Sequence, residues 1–314
     1  MSRTVTNRNR TKQAYLPFVA LALLALIWGY NWVVMKVAVG YADPFTFAAL
    51  RNVLAAVTLF AIVALRRRRL GPSVPWGWTA LFGLFQTSGS GLSVLALYVG
   101  SAGKTSVLTY TMPFWLLLIA WPVLNERIQG IQWVVVGLAL AGLVLVLEPW
   151  NLRGLAAGLL AVAGGLCWAI ASVLFKLIRQ RYEVDLVPFT AWQALLGSIP
   201  LILAAVFTAT GAPVWSTTLV AALFYNVFIA GVICMLTWLY VLHSLPAGTA
   251  GLSSLAIPVV GVVAAWIQLG EQPGVLEAVG MGLIVVALAI LTARGLRTGR
   301  EASLEAPVGP AVEA

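Results

Sequence analysis

Three features of this 314-residue sequence predict an all-α membrane protein of ten transmembrane helices in two inverted five-helix repeats. The first is composition. With 61% hydrophobic residues, 9% charged residues and a mean hydropathy of +0.97, the chain carries more apolar surface than a soluble core of this length encloses. The second is the length of its apolar runs, which approach the roughly 20 residues needed to span a hydrocarbon core of about 30 Å. The third is an internal repeat. Ala102-Gly103, Pro113, Ala120-Trp121 and Glu126 return as Ala247-Gly248, Pro258, Ala265-Trp266 and Glu271, every pair at an offset of 145. A β-barrel is excluded, because the short alternating segments it requires are absent.

The elements follow in order. Residues 1–15 form a polar tail with Arg3, Arg8, Arg10 and Lys12, and apolar segments then occupy 16–38, 44–65, 76–99, 102–124 and 129–147. The second set occupies 154–178, 186–208, 217–241, 245–269 and 274–294, and 296–314 reads as a disordered tail rich in Ala, Glu, Pro and Gly. The first run is too long for a cleaved signal sequence and is read as an uncleaved helix. Each connection is short, so neighbouring helices form antiparallel hairpins. The repeat reaches every helix: Trp28 and Lys36 match Trp168 and Lys176, Pro44-Phe45-Thr46 matches Pro188-Phe189-Thr190, and Leu97-Tyr98-Val99 matches Leu239-Tyr240-Val241. Repeat one is therefore 16–147 and repeat two 148–295. Small residues at helix-packing spacing, Gly137 with Ala141, Gly154 with Gly158 and Gly261 with Ala265, are expected at helix contacts.

Five spans per repeat force the two halves to enter the membrane in opposite directions, and charge agrees. With the N-terminus inside, fifteen of the 19 basic residues flank inner ends, among them Arg66 to Arg69, while Lys36, Lys104 and Arg153 flank outer ends and Arg51 lies within helix 2. Both termini are thus expected in the cytoplasm. The net charge of +9 is this topological signal and implies no nucleic acid. Two isolated cysteines, Cys167 and Cys234, give neither a disulfide framework nor a metal site.

Ten helices, two inverted repeats, the Trp28-Gly29-x-Asn31 start and the Pro-containing fourth and ninth helices ending at Glu126 and Glu271 resemble the EamA-type branch of the drug/metabolite transporter superfamily, with YddG-type amino-acid exporters as the best understood relatives. The resemblance spans residues 16–295. It implies a central cavity among helices 1–4 and 6–9, helices 5 and 10 packed outside, and transport by alternating access. Substrates in the superfamily include amino acids, nucleotide sugars, other metabolites and drugs.

Polar and aromatic residues mark the expected substrate cavity, because polar groups facing lipid are unfavourable. They are Trp28 and Asn31 on helix 1, Arg51 on helix 2, Gln86, Ser90 and Tyr98 on helix 3 (with Ser93 in the same stripe), and Tyr110 on helix 4. The second half adds Trp168 and Ser172, Trp192 and Gln193, Asn226 and Trp238, and Ser253 and Ser254. Each alone could equally bond a neighbouring helix. Helices 1 and 6 are expected to face each other across the centre, with the Trp28 and Trp168 rings holding an apolar part of a ligand and their N–H groups making a polar contact to it, or else with both rings merely filling core volume between helices. Arg51 suits a carboxylate or phosphate clamp, or else reaches the outer surface or pairs with Asp43. Pro113 and Pro258 each remove a backbone hydrogen bond and are the expected hinges. Lys36, Lys104 and Lys176 sit near helix ends and are expected to snorkel. Trp121 and Trp266 suit an aromatic belt.

None of the ten acidic residues lies in mid-helix, which argues against a proton relay. No catalytic cluster, phosphate-gripping loop or metal-ligand spacing appears, so the expectation is a carrier rather than an enzyme, needing no cofactor. The reading is an inner-membrane metabolite exporter for amino acids or similar small zwitterions, the amino-acid step leaning on the resemblance. Its partners are a small-molecule substrate and the lipid bilayer, and a monomer is the simplest assembly. Other superfamily cargoes are the alternative within transport; a channel or intramembrane enzyme is the alternative outside it. Reporter fusions near Arg68 and at the C-terminus should report the cytoplasm and one near Ala212 the opposite side; agreement between Arg68 and Ala212 would refute the inverted repeat.

Overall fold

The computed structural model describes residues 3–66, 70–124, 130–148, 154–209, 211–234, 237 and 247–305. Among them every regular element is a helix. In chain order these are α1 (Arg3–Ala38), α2 (Pro44–Leu65), α3 (Trp76–Val99), α4 (Ala102–Thr109), α5 (Met112–Leu124), α6 (Ile131–Leu147), α7 (Leu155–Arg181), α8 (Leu186–Thr208) and α9 (Thr217–Phe224). A π-helix (Tyr225–Ile233) continues α9, and α10 (Ala247–Leu269) and α11 (Val275–Glu305) complete the chain. Six spans are long and apolar enough to cross a membrane, α4 and α5 counting as one; four apolar helices among the described residues are shorter.

Local chemistry explains the helix starts. Asp43 caps α2, its carboxylate accepting from the amides of Phe45 and Thr46, and Pro44 supplies a first residue that needs no N–H partner. Ser101, Asp185 and Ser216 cap α4, α8 and α9 in the same way. Two departures from the expected elements have physical causes. The fourth segment is broken at Tyr110–Thr111, because the Pro113 ring would collide with the carbonyl of Thr109, four residues earlier, in a continuous helix. The C-terminal stretch expected to be disordered from 296 is helical to Glu305, in keeping with the helix-forming Ala, Leu, Arg and Glu it contains.

The packing repeats between the halves. α1 lies on α10, and in the same relation α7 lies on α4 and α5. α3 packs on α7 and the π-helix on α1; α3 also packs on α8 and the π-helix on α2. Three pairs join an element to its own counterpart: α2 with α8, α4 with α10 and α6 with α11. α1, α2, α3, α8 and α9 close around one core holding Trp32, Phe47 and Leu97, while α6 and α11 build a second with Val135, Val146 and Ile284. Leu65, Phe207 and Ile267 stand on the outside, as expected where the surrounding solvent is lipid.

Glycine sets two of the closest crossings. A Cβ on Gly142 would meet the Gly280 carbonyl at 2.7 Å, and a Cβ on Gly280 would meet the Gly142 carbonyl at the same distance, so backbones touch where α6 crosses α11. The expected packing role is corrected at Gly137 and Gly154. A Cβ on either would meet nothing within 4 Å, and Gly154 instead serves the start of α7 with a φ of +82°. Gly158 and Gly261 do lie against Leu147 and Ser106. Gly142→Val should therefore lower thermal stability in detergent by about 1–3 kcal/mol, whereas Gly137→Val should change it little; equal effects would contradict the crossing.

Candidate functional site

A cavity of about 490 Å³ lies among α1, α2, α3, the α4–α5 break, α7, the π-helix and α10. This is an ordinary size for a small-molecule site. Among the described residues, neither α6 nor α11 reaches it, and α8 contributes none of its lining. α1 presents Trp28, Asn31, Trp32 and Met35, a single stripe at helical spacing. α3 adds Gln86, Ser90 and Ser93, and α7 adds Trp168 and Ser172.

Two irregular turns shape the lining. The break enforced by Pro113 turns Tyr110 inward, where its ring meets Trp32 edge-on at 6.4 Å. The π-helix widens the turn that presents Asn226, Ala230 and Gly231. Ala230 then accepts from the Trp28 indole at 2.9 Å, and Gln86 accepts from the Trp168 indole at 3.0 Å. The two bonds are counterparts, each joining a first-helix tryptophan of one half to a carbonyl in the other. The expectation that these N–H groups reach a ligand is thereby corrected: they staple the halves, and the rings supply apolar wall.

Arg51 lines the cavity and does not pair with Asp43. Its Nη1 donates to the Met35 sulfur at 2.7 Å, and Asp43 is engaged in capping α2. Among the described residues no carboxylate forms an ion pair with it. Asn31 and Asn226 are 8% and 3% exposed, and neither side-chain oxygen finds a hydrogen-bond partner; the buried Thr109 hydroxyl is likewise unpaired. All three residues line the cavity.

The cavity thus gathers Trp28, Asn31, Arg51, Gln86, Ser90, Tyr110, Trp168, Ser172 and Asn226 of the sequence-predicted set. Others lie apart from it. Tyr98 is exposed on α3. Trp192 packs edge-on against Phe60 and Trp76 and donates to the Leu70 carbonyl. Gln193 is buried where α8 meets α3, beside Gly83. Trp238 lies outside the described residues, as do the side chains of Ser253 and Ser254. Pro258 lies within an unbroken α10. Sequence reasoning passed over Trp32 and Met35, which the stripe from Trp28 and Asn31 would have included, and Thr109, which only the helix break exposes.

One end of the bundle is held by charges on helix termini. Lys36 donates to the carbonyls of Leu97 and Gly100 at the end of α3, at 2.6 and 2.5 Å. Glu271 accepts from the amides of Ala102 and Gly103 at the start of α4, at 2.7 and 3.1 Å. Each charge opposes the dipole it meets. Lys104 pairs with Glu277 at 2.7 Å. Snorkelling is therefore corrected for Lys36 and Lys104, whose ammonium groups bind other helices.

A membrane-embedded, multi-pass helical protein with a cavity shared by two repeated halves is the class these features define. The chain belongs to the EamA-like transporter family, whose profile matches residues 16–148 and again 155–293. It is 29% identical over 256 residues to the uncharacterized transporter YoaV of Bacillus subtilis, covering 79% of this chain and 87% of that one. It is 27% identical to a probable amino-acid metabolite efflux pump of Salmonella typhimurium, covering 87% and 93%. It is 26% identical to the inner membrane transporter YedA of Escherichia coli, covering 90% and 92%. A solved crystal structure matches the fold with a TM-score of 0.61 at 18% identity, covering 89% of this chain and 99% of that one.

Glu271 generates a prediction. Glu271→Ala removes the acceptor of two α4 amides and should cost about 1–3 kcal/mol, read as a lower melting temperature in detergent, with Glu271→Gln retaining part of the loss. An Ala variant as stable as the parent would show that the cap contributes nothing.

Proposed function

We propose that this chain is a ten-span inner-membrane exporter in which two inverted five-helix repeats, 16–147 and 148–295, expose one cavity alternately to either side. Amino acids or similar small zwitterions are the proposed cargo, and both termini are cytoplasmic. The observation that carries the reading is a cavity built from both halves, with one guanidinium and no ion-paired carboxylate among its described lining. A cavity at the seam between repeats is where carriers of this kind hold substrate. The printed description of the Salmonella typhimurium relative, a probable amino-acid metabolite efflux pump, supports the cargo class. The absence of mid-helix carboxylates in the sequence favours movement down the substrate gradient without proton coupling. A single chain suffices for such a carrier.

The test is two-sided access. With Cys167 and Cys234 replaced by Ala, Ser90→Cys should react with a membrane-impermeant maleimide from either face of oriented vesicles. Reaction from one face only, under all conditions, would defeat alternating access. Reaction from both faces together with non-saturable flux would indicate a channel.

A further inference from the structure

Among the described residues, two charged contacts join the halves at the Glu271 end of the bundle, and one of them has no equivalent in the repeat. Glu271 caps α4 through the amides of Ala102 and Gly103. Its repeat partner is Glu126, which lies outside the described residues, and theirs are Ala247 and Gly248, so the sequence carries the same residue types for both ends. Lys36, which holds the turn before α4 through the carbonyls of Leu97 and Gly100, likewise has a lysine as its counterpart, Lys176. The second contact is different. Lys104 of α4 pairs with Glu277 of α11 at 2.7 Å. At the offset of 145 that relates the repeats here, Lys104 corresponds to Thr249 and Glu277 to Gln132. Those neutral side chains cannot form an ion pair. The duplication is symmetric in its cap and asymmetric in its ion pair.

Lys104 is badly placed for a purely local role. It lies in the first turn of α4, where the helix dipole disfavours a cation. Its partner belongs to the other half, 173 residues away. Glu277 also accepts from the Gly274 amide, which fixes it at the start of α11. Both side chains line a small cavity of about 190 Å³ where α4 meets α7 and α11. A polar space of that size holds water, so the two charges can be rehydrated as they part. α4 then carries this end to the central cavity. It is eight residues long, about 12 Å, and stops at the break where Thr109 and Tyr110 line that cavity.

We propose that Lys104 and Glu277 form a one-sided latch that sets which face of the membrane the central cavity opens to at rest. The inference rests on the carrier reading and deepens it. A contact present in only one of two access states favours that state by its own free energy and no more. This pair exists while α4 and α11 are together, so it favours the state closed at this end and open at the opposite face. Under the proposed topology this end faces outwards. The resting cavity then opens to the cytoplasm, the side from which an exporter loads.

The experiment uses the full chain in vesicles of both orientations, with Cys167 and Cys234 replaced by Ala and Ser90→Cys as the probe. The quantity measured is the ratio of maleimide labelling rates from the two faces. The face opposite Glu277 should react faster. Lys104→Met and Glu277→Gln should each raise the relative rate from the Glu277 face by about three- to fivefold, the scale of a partly exposed ion pair. Exchanging the charges, Lys104→Glu with Glu277→Lys, should return the ratio towards its starting value. Gln132→Glu with Thr249→Lys supplies a pair at the other end and should move the ratio in the same direction as breaking the first. Melting temperature in detergent is followed for each variant. A fixed brace would lower it while leaving the ratio unchanged, and that result overturns the latch. So does a shift that charge exchange fails to reverse, or faster labelling from the Glu277 face before any change at Lys104 or Glu277. Labelling from one face only in every variant defeats the carrier reading and the latch with it, whereas labelling from both faces at an unchanged ratio defeats the latch alone.

Discussion

A bilayer core offers no hydrogen-bonding partner, so every backbone group released from a helix must be satisfied within the protein. Much of this structure follows from that constraint acting on two irregular elements. Pro113 breaks the fourth segment and the π-helix distorts the eighth, and both irregularities contribute residues to the cavity lining. The Ala230 carbonyl is met by an indole from the other half. At the bundle end, amides of α4 are met by Glu271 and carbonyls of α3 by Lys36. Satisfying the backbone is therefore also what joins the two repeats.

The same constraint shapes the cavity lining. Apolar walls need no partners, so Trp28, Trp32 and Trp168 can line it at no electrostatic cost. Polar atoms left unmatched are conspicuous against such a background, and among the described residues they include the carboxamide oxygens of Asn31 and Asn226 and the Thr109 hydroxyl. Close backbone crossings at glycine, as between Gly142 and Gly280, hold the peripheral pair α6 and α11 together outside the cavity.

The repeat in the sequence carried the architecture a long way. Matching Trp28 with Trp168 placed two helices in equivalent positions, and the Ala102-Gly103 and Glu271 ends of the repeated stretch meet in space. Helical spacing from Trp28 also identified one cavity face. Less was legible where tertiary context decided. The segment Tyr225–Ile233 contains no proline or other local signal for a π-helix, so the exposure of Asn226 beside Ala230 could not be anticipated in detail. Whether a polar residue in a span faces a cavity or a neighbouring helix depends on helix rotation, which is why Gln193 and Ser90, both reasonable choices, have different surroundings. The partner of Arg51 was hidden because methionine signals no electrostatic role.

The Glu271 cap has a consequence for how firmly its end of the bundle is held together. Apolar contacts are lost wholesale when helices separate, but a carboxylate and two amides at a helix terminus can each be rehydrated as they part. The net strength of such a charge-assisted contact is about 1.5–3 kcal/mol. If nothing else opposed separation, that would leave roughly one molecule in ten to one in a hundred and fifty parted at any moment. A fastening of this kind is a hydration equilibrium, strong enough to define a resting shape and weak enough for thermal motion to undo it.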